Sequence, residues 1–130
     1  MRSLALVGLL AVVLAAGCGT VTEPAAAPSD AIASAEADIG IPPAPDTDTQ
    51  AKFIAALEAI DPDIVHGDEE KAVDRARNQC SSVKENPDEK AQLVKLTNQR
   101  FSSPDHPEGF GTAKATRILT AVRKHICPSF

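Results

Sequence analysis

The sequence predicts an all-α fold: a small four-helix domain with one disulfide, preceded by a disordered tether. Three observations predict it. Apolar residues recur at helical spacing in four segments, helix start and stop signals flank those segments, and no segment keeps the strict alternation of a strand. With 130 residues, the chain is long enough for one domain of ordinary size. We predict a signal peptide over 1–17, a lipidated linker over 18–46 and the helical domain over 47–130.

The N-terminus has the layout of a secretory signal. Arg2 gives it a positive start, and Leu4 to Ala16 is an apolar run too short to span a bilayer. The run ends in small residues directly before Cys18, which resembles a bacterial lipobox. That resemblance implies lipidation of Cys18 after cleavage behind Gly17. Ordinary signal-peptide cleavage after Ala27 is the alternative.

The composition of residues 18–46 is typical of a flexible spacer. They are rich in Ala and Pro, carry acidic residues and contain neither Lys nor Arg. Such a segment buries too little apolar surface to offset the entropy of ordering it. Within it, Ser29 to Ile39 has the signals of a transient helix that stops at Gly40.

The first two helices of the domain follow residue 47. Thr47 fits the cap of a capping box with Gln50, and Asp61 ends the helix because it precedes Pro62. Residues 67–70 open the second helix with acidic charge at its N-terminus. The apolar faces are, in the first helix, Phe53, Ile54, Leu57 and Ile60, and in the second, Val73, Ala76, Cys80 and Val83.

The third and fourth helices flank a loop over 102–111 that is rich in Pro and Gly. Asn86 is the expected cap of the third helix, with Pro87 at its first position and Glu89 completing a capping box. Thr112 is the expected cap of the fourth, and Pro128 stops it. The apolar faces are, in the third helix, Leu93, Val94, Leu96 and Phe101, and in the fourth, Ala115, Ile118, Leu119, Val122 and Ile126.

Cysteine parity predicts one disulfide. If Cys18 carries lipid, Cys80 and Cys127 remain as an even pair in an exported, oxidising compartment. A nucleophilic role for either cysteine is the alternative, with His125 as the nearby imidazole.

Metal and catalytic motifs are not apparent in the sequence. The acidic connector over 61–70 could hold a hard cation, but its spacing fails the EF-hand register, because Val65 and Ala72 stand where ligands are required. No nucleophile elbow, phosphate loop or zinc spacing occurs. We therefore expect no metal, no cofactor and no enzymatic activity.

One surface is the predicted partner contact. The 102–111 loop carries an ionisable and an aromatic residue outside the helices, and the last helix is basic with no acidic residue. Pairing of this basic charge with the acidic segment over 58–74, and packing of Phe110 into the core, are the alternatives left open. The candidate contact residues are His106, Phe110, Lys114, Arg117 and Arg123.

Four short segments resemble a known family: 53–57, 78–80, 97–101 and 125–128, which includes a Cys-Pro pair close to the C-terminus. They are similar to an actinobacterial family of exported proteins, the domain of unknown function 732. The resemblance covers about residues 47 to 130. It implies a secreted or lipid-anchored helical domain with a disulfide, and it implies no activity.

The functional expectation is a lipoprotein on the outer face of the cytoplasmic membrane, with a helical domain that binds an unknown envelope protein or ligand. A net charge of −5 and an aromatic content of 3% argue against nucleic-acid binding. The alternative is a carrier of a small molecule such as haem. Against it, the sequence contains no Tyr to serve as an axial ligand, and only His66 and His106 lie outside the helices.

Overall fold

The computed structural model describes residues 29–130. This part of the chain is helical and contains no strand. None of its helices is both long and apolar enough to cross a membrane. The helices are α1 (Ser29–Asp38), α2 (Thr47–Glu58), α3 (Glu69–Glu85), α4 (Lys90–Arg100) and α5 (Thr112–His125), with a short 3-10 helix at Pro62–Ile64. The all-α prediction is confirmed, and its four helices are α2 to α5.

The core lies among these four helices, and α5 packs against α2, α3 and α4. All predicted apolar positions of α3 are buried, as are both aromatic side chains of the domain interior, Phe53 and Phe101. In α4, Leu96 is only half-buried, whereas Thr97 is completely buried. The hydroxyl of Thr97 donates to the Leu93 carbonyl at 2.8 Å, so a polar residue occupies this core position without an unmet hydrogen bond.

Two helix starts differ from the prediction. The cap of α2 is Asp46 rather than Thr47, because the Asp46 carboxylate accepts from the Thr49 backbone N–H at 2.9 Å. Asn86 does not cap α4; it ends α3, where its N–H donates to the Ser82 carbonyl. α4 therefore begins only at Lys90.

The predicted start of α3 is confirmed, and the predicted cap of α5 is wrong. Asp68 caps α3 by accepting from the Lys71 N–H at 3.0 Å, within the predicted opening segment. At α5 the cap is Gly111, with a φ of 85°, and Thr112 is the first helical residue. A left-handed backbone of this kind suits glycine and is costly for threonine.

Residues 29–46 of the predicted spacer lie against α3, and the helix that the sequence indicates from Ser29 is present as α1. The Arg77 guanidinium holds both the Glu36 carboxylate, at 2.5 Å, and the Pro42 carbonyl, at 2.8 Å. Gly40 is buried with a φ of 83°, and a Cβ there would collide with the Lys84 side chain. α1 buries none of its residues, so polar contacts hold it. The predicted signal peptide and Cys18 lie outside the described residues.

Cys80 in α3 and Cys127, just after α5, meet in the core. Their separation is 2.5 Å, and the structure holds them as two free, buried cysteines. The two residues are therefore neighbours in the core, as the sequence predicts, and no bond joins them in the structure.

Candidate functional site

Three of the predicted contact residues come together beside the 102–111 loop. The rings of His106 and Phe110 lie with their centroids 4.4 Å apart, and the Lys114 ammonium is 5.9 Å from the Phe110 centroid. All three side chains are half-buried. Phe110 also packs against the core, as in the alternative in which this ring serves the interior.

The same cluster faces carboxylates of the acidic connector. Lys114 Nζ donates to Asp61 Oδ2 at 2.6 Å, and His106 Nε2 is 3.6 Å from Asp63 Oδ2. The bond from Lys114, followed by one from the Asp63 N–H, holds the pKa of Asp61 below its ordinary value of 3.8. At Lys114, therefore, the basic charge of α5 pairs with the acidic segment inside the domain, as in the second alternative for this surface.

The other two predicted contact residues lie further along α5. Arg117 is exposed, reaches the Ala59 carbonyl at 3.4 Å and borders a cleft of about 290 Å³ that also involves His125. Burial, with the charges of Lys124 and Lys52, lowers the pKa of His125. Arg123 lies close enough to Cys127 for its charge to lower the pKa of that thiol. Arg117 follows Lys114 by one turn of α5, and the two side chains reach nearby residues, Ala59 and Asp61. Arg123 lies two turns further along the same helix.

A larger groove lies between α4 and α5, and the sequence analysis did not identify it. Its volume is about 690 Å³, within the range of small-molecule sites. One side is apolar at Ala91 and Val94, and two lysines and one glutamate supply charge. The lining residues are Lys90, Ala91, Val94, Lys95, Asn98, Gln99, Glu108, Thr112 and Thr116.

One end of this groove is fixed by Asn98. Its amide donates to the Glu108 carbonyl and accepts from the Gly111 N–H, both at 2.8 Å. Gly109 has a φ of 88°, and a Cβ there would collide with the Asn98 carbonyl oxygen. The close approach of these backbones positions Glu108 at the groove and requires glycine at 109.

The groove can hold a ligand that is partly apolar and partly charged. Lys90 and Lys95 form no ion pair within 4 Å among the described residues, so their charges are available to an acidic group. The Thr116 hydroxyl is satisfied by the Thr112 carbonyl at 2.8 Å. The sequence signal that could have found the groove is the short side chains at 91, 112 and 116 on two helices that pack together.

No metal centre is assembled among residues 29–130, where no three His, Cys, Asp or Glu side chains come together as ligands. In the acidic connector, Asp61 and Asp68 act as helix caps, accepting from the backbone of Asp63 and Lys71. These carboxylates therefore serve the local backbone.

Comparison with known proteins identifies the family. A family model described as "Protein of unknown function (DUF732)" matches residues 45–129. The chain belongs to this family. No curated protein and no solved structure gives a significant match. The DUF732 match contains α2 to α5, the α4–α5 groove and both core cysteines, and it leaves α1 outside.

The DUF732 domain holds its two cysteines next to each other, with the Cys80 thiol donating to the Ala76 carbonyl and the Cys127 thiol to the Val122 carbonyl. The interaction between the two thiols raises the pKa of Cys80 and lowers that of Cys127, and the charge of Arg123 also lowers the latter. The two residues are 0% and 2% exposed. A substrate cannot reach either sulfur in this conformation, so the geometry does not favour a nucleophilic role.

Proposed function

We propose that this chain is an extracytoplasmic lipoprotein whose DUF732 domain binds an amphipathic partner in the α4–α5 groove without converting it chemically. The observation that carries the proposal is the groove itself. Its volume of about 690 Å³ suits a small ligand or a few side chains of a partner protein. Its lining combines an apolar side with charged residues at the rim.

The charges indicate which partner fits. Lys90 and Lys95 lie one and a half turns apart on α4, and both are exposed. An acidic group on the partner can approach them while an apolar portion contacts Ala91 and Val94. Glu108 gives the groove a negative charge at the loop, so the orientation of a polar partner is specified as well.

The membrane anchor is proposed from the N-terminal sequence. The apolar run from Leu4 to Ala16 and the small residues before Cys18 support lipidation of Cys18. Residues 18–28 could then reach about 35 Å when extended. A tether raises the effective concentration of a binding domain near the membrane, which suits a domain with a modest groove.

The Cys80–Cys127 disulfide is proposed for the exported protein. Two points support it: the two cysteines lie next to each other in the core, and the compartment proposed for this protein is oxidising. The bond would join α3 to the end of α5. It would restrict the unfolded chain between the two positions and so stabilise the domain.

Haem carriage, the alternative from the sequence, receives no specific support. Neither His66 nor His106 lines the α4–α5 groove. The His125 cleft, at about 290 Å³, is at the lower limit of ordinary ligand sites.

The experiment that tests groove binding uses 8-anilinonaphthalene-1-sulfonate, a fluorescent probe with an apolar ring system and one negative charge. We expect saturable binding to the wild-type domain and its loss in Ala91→Trp, because the indole fills the groove. Ala113→Trp is the matched control, since Ala113 is also exposed and helical but does not line the groove. Equal binding by the two variants would contradict the proposed site.

A further inference from the structure

A second polar site lies on the opposite side of α4, where it faces α3. Arg75, Gln79 and Ser82 share one face of α3, at positions i, i+4 and i+7. Arg100, the last residue of α4, reaches this face: its Nη1 donates to Gln79 Oε1 at 2.5 Å and approaches Ser82 Oγ at 3.4 Å. Arg75 Nη1 donates to the Ser102 carbonyl, two residues beyond Arg100, at 2.8 Å.

These two arginines lack an acidic partner. Among residues 29–130, no carboxylate lies within 4 Å of either guanidinium. Arg77, on the same helix as Arg75, differs from both because its guanidinium pairs with two carboxylates. Arg75 and Arg100 are both half-buried, and burial of a charge without a counter-charge is unfavourable. Desolvation accordingly lowers the pKa of Arg100.

The polar neighbours hold Arg100 without neutralising it. Gln79 is 0% exposed, its oxygen accepts from Arg100, and its Nε2 has no hydrogen-bond partner among the described residues. A buried amide with half of its hydrogen bonds unmet is unfavourable for folding alone. Its oxygen, by accepting from Arg100 Nη1, fixes the position of the guanidinium.

Most donors of the two guanidinium groups remain available. Each group carries five N–H donors in a planar fork, and in both arginines only Nη1 bonds to a protein acceptor within residues 29–130. The two forks come from different helices. A planar carboxylate is satisfied by one fork, whereas a tetrahedral oxyanion offers enough oxygens for two.

We propose that Arg75 and Arg100 form a binding site for a phosphate-type oxyanion, with Gln79 and Ser82 positioning Arg100. The shared chemistry is a phosphate group, either on a soluble molecule or in the headgroup of an anionic lipid. The site lies between α3 and α4, so it is separate from the α4–α5 groove and does not rest on the function proposed for that groove.

The test is a titration of the isotope-labelled protein with inorganic phosphate at constant ionic strength, followed by NMR at the arginine Nε–H and the Gln79 side-chain amide. We expect saturable shifts at both arginines and much weaker binding of acetate. Arg100→Gln and Arg75→Gln should each weaken phosphate binding at least tenfold. Lys52→Gln, an equal charge change at an exposed residue of α2, should remain within twofold of wild type.

Two further variants separate binding from folding. Arg100→Lys keeps the charge but loses the fork, so we expect severalfold weaker phosphate binding with the melting temperature retained. Gln79→Leu should lower phosphate affinity because it removes the acceptor that orients Arg100. Its melting temperature is measured as well, so that a loss of positioning is distinguished from a loss of folding. Unsaturable shifts, equal weakening by Lys52→Gln, or equal affinity for acetate would overturn the proposal.

Vesicles distinguish the two sources of phosphate. Phosphatidylglycerol vesicles that retain the wild-type domain, but not Arg100→Gln, would support a lipid headgroup; phosphatidylcholine vesicles are the control. Phosphate binding without vesicle binding would support a soluble phosphate compound.

Discussion

Lys114 Nζ and Asp61 Oδ2 lie 2.6 Å apart and tie the first turn of α5 to the start of the 3-10 helix after α2. Asp61 also caps that helix through the Asp63 N–H. One carboxylate therefore serves a local backbone turn and a contact between distant segments. The positive charge of Lys114 is therefore paired within the domain and is not free to bind an acidic partner.

The Lys114–Asp61 pair predicts a pH-dependent contribution to stability. The pKa of Asp61 is lowered in the folded state, so the stabilisation is present above the ordinary value of 3.8 and is lost as the pH falls through the folded pKa. Lys114→Gln should melt below wild type at neutral pH, and the difference should disappear in acid. Thermal melts between pH 7 and about pH 2 measure it. A difference that stays constant in acid would contradict the assignment.

Substitution of Gly109 is predicted to destabilise the fold. Gly109→Ala places a Cβ against the Asn98 carbonyl at a φ of 88°, whereas Gly67→Ala, at a φ of 79°, meets nothing within 4 Å. Both variants carry backbone strain, so their difference isolates the collision. We expect Gly109→Ala to lower the free energy of unfolding by about 1–3 kcal/mol more than Gly67→Ala. Urea denaturation of the two proteins checks this, and equal losses would show that the loop accommodates the methyl group.

The helix faces could be predicted from the sequence because they depend on a local period. The buried positions of α3 follow directly from the 3.6-residue repeat of its apolar residues. The helix starts are harder, since two helices compete for one residue. Asn86 has the chemistry of a cap, but α3 continues up to it and uses it as an end.

The candidate sites could not be predicted in the same way, because they depend on which exposed residues the packing brings together. Lys95 and Thr116 have no sequence signal in common, yet both line one groove. Likewise, Arg100 and Gln79 meet only when α4 packs on α3. The sequence indicates that the acidic segment and the basic helix can pair, and the structure shows that Lys114 and Asp61 form the ion pair.

Lipid anchoring predicts a change of location. Cys18→Ser removes the sulfur that would carry the lipid, so the protein should leave the membrane fraction or stay unprocessed. Fractionation and mass spectrometry of the mature N-terminus measure both outcomes. Unchanged membrane association and unchanged mass would exclude lipidation at Cys18.

The proposed disulfide predicts a redox-dependent stability. Mass spectrometry of the unreduced exported protein should show Cys80 linked to Cys127. Reduction should then lower the free energy of unfolding by about 4 kcal/mol, since the loop between the two positions is no longer closed in the unfolded chain. Two alkylatable thiols in protein taken from its own compartment would rule the bond out.

Partner capture distinguishes the α4–α5 groove from the surface predicted from the sequence. His106 and Lys114 face Asp63 and Asp61 within the domain, so we expect His106→Ala to leave partner recovery nearly unchanged. Ala91→Trp fills the groove and should reduce recovery of a crosslinked partner from intact envelopes at least tenfold, because the apolar contact and the approach to Lys95 are both blocked.

Two controls make this comparison decisive. Ala113→Trp adds the same side chain to an exposed position of α5 outside the groove, so it should recover the partner as wild type does. Melting temperatures of all the variants must agree, since a partly unfolded domain would also lose its partner. If His106→Ala abolishes recovery while Ala91→Trp does not, the binding surface lies at the loop, and the acidic residues that face His106 become part of it.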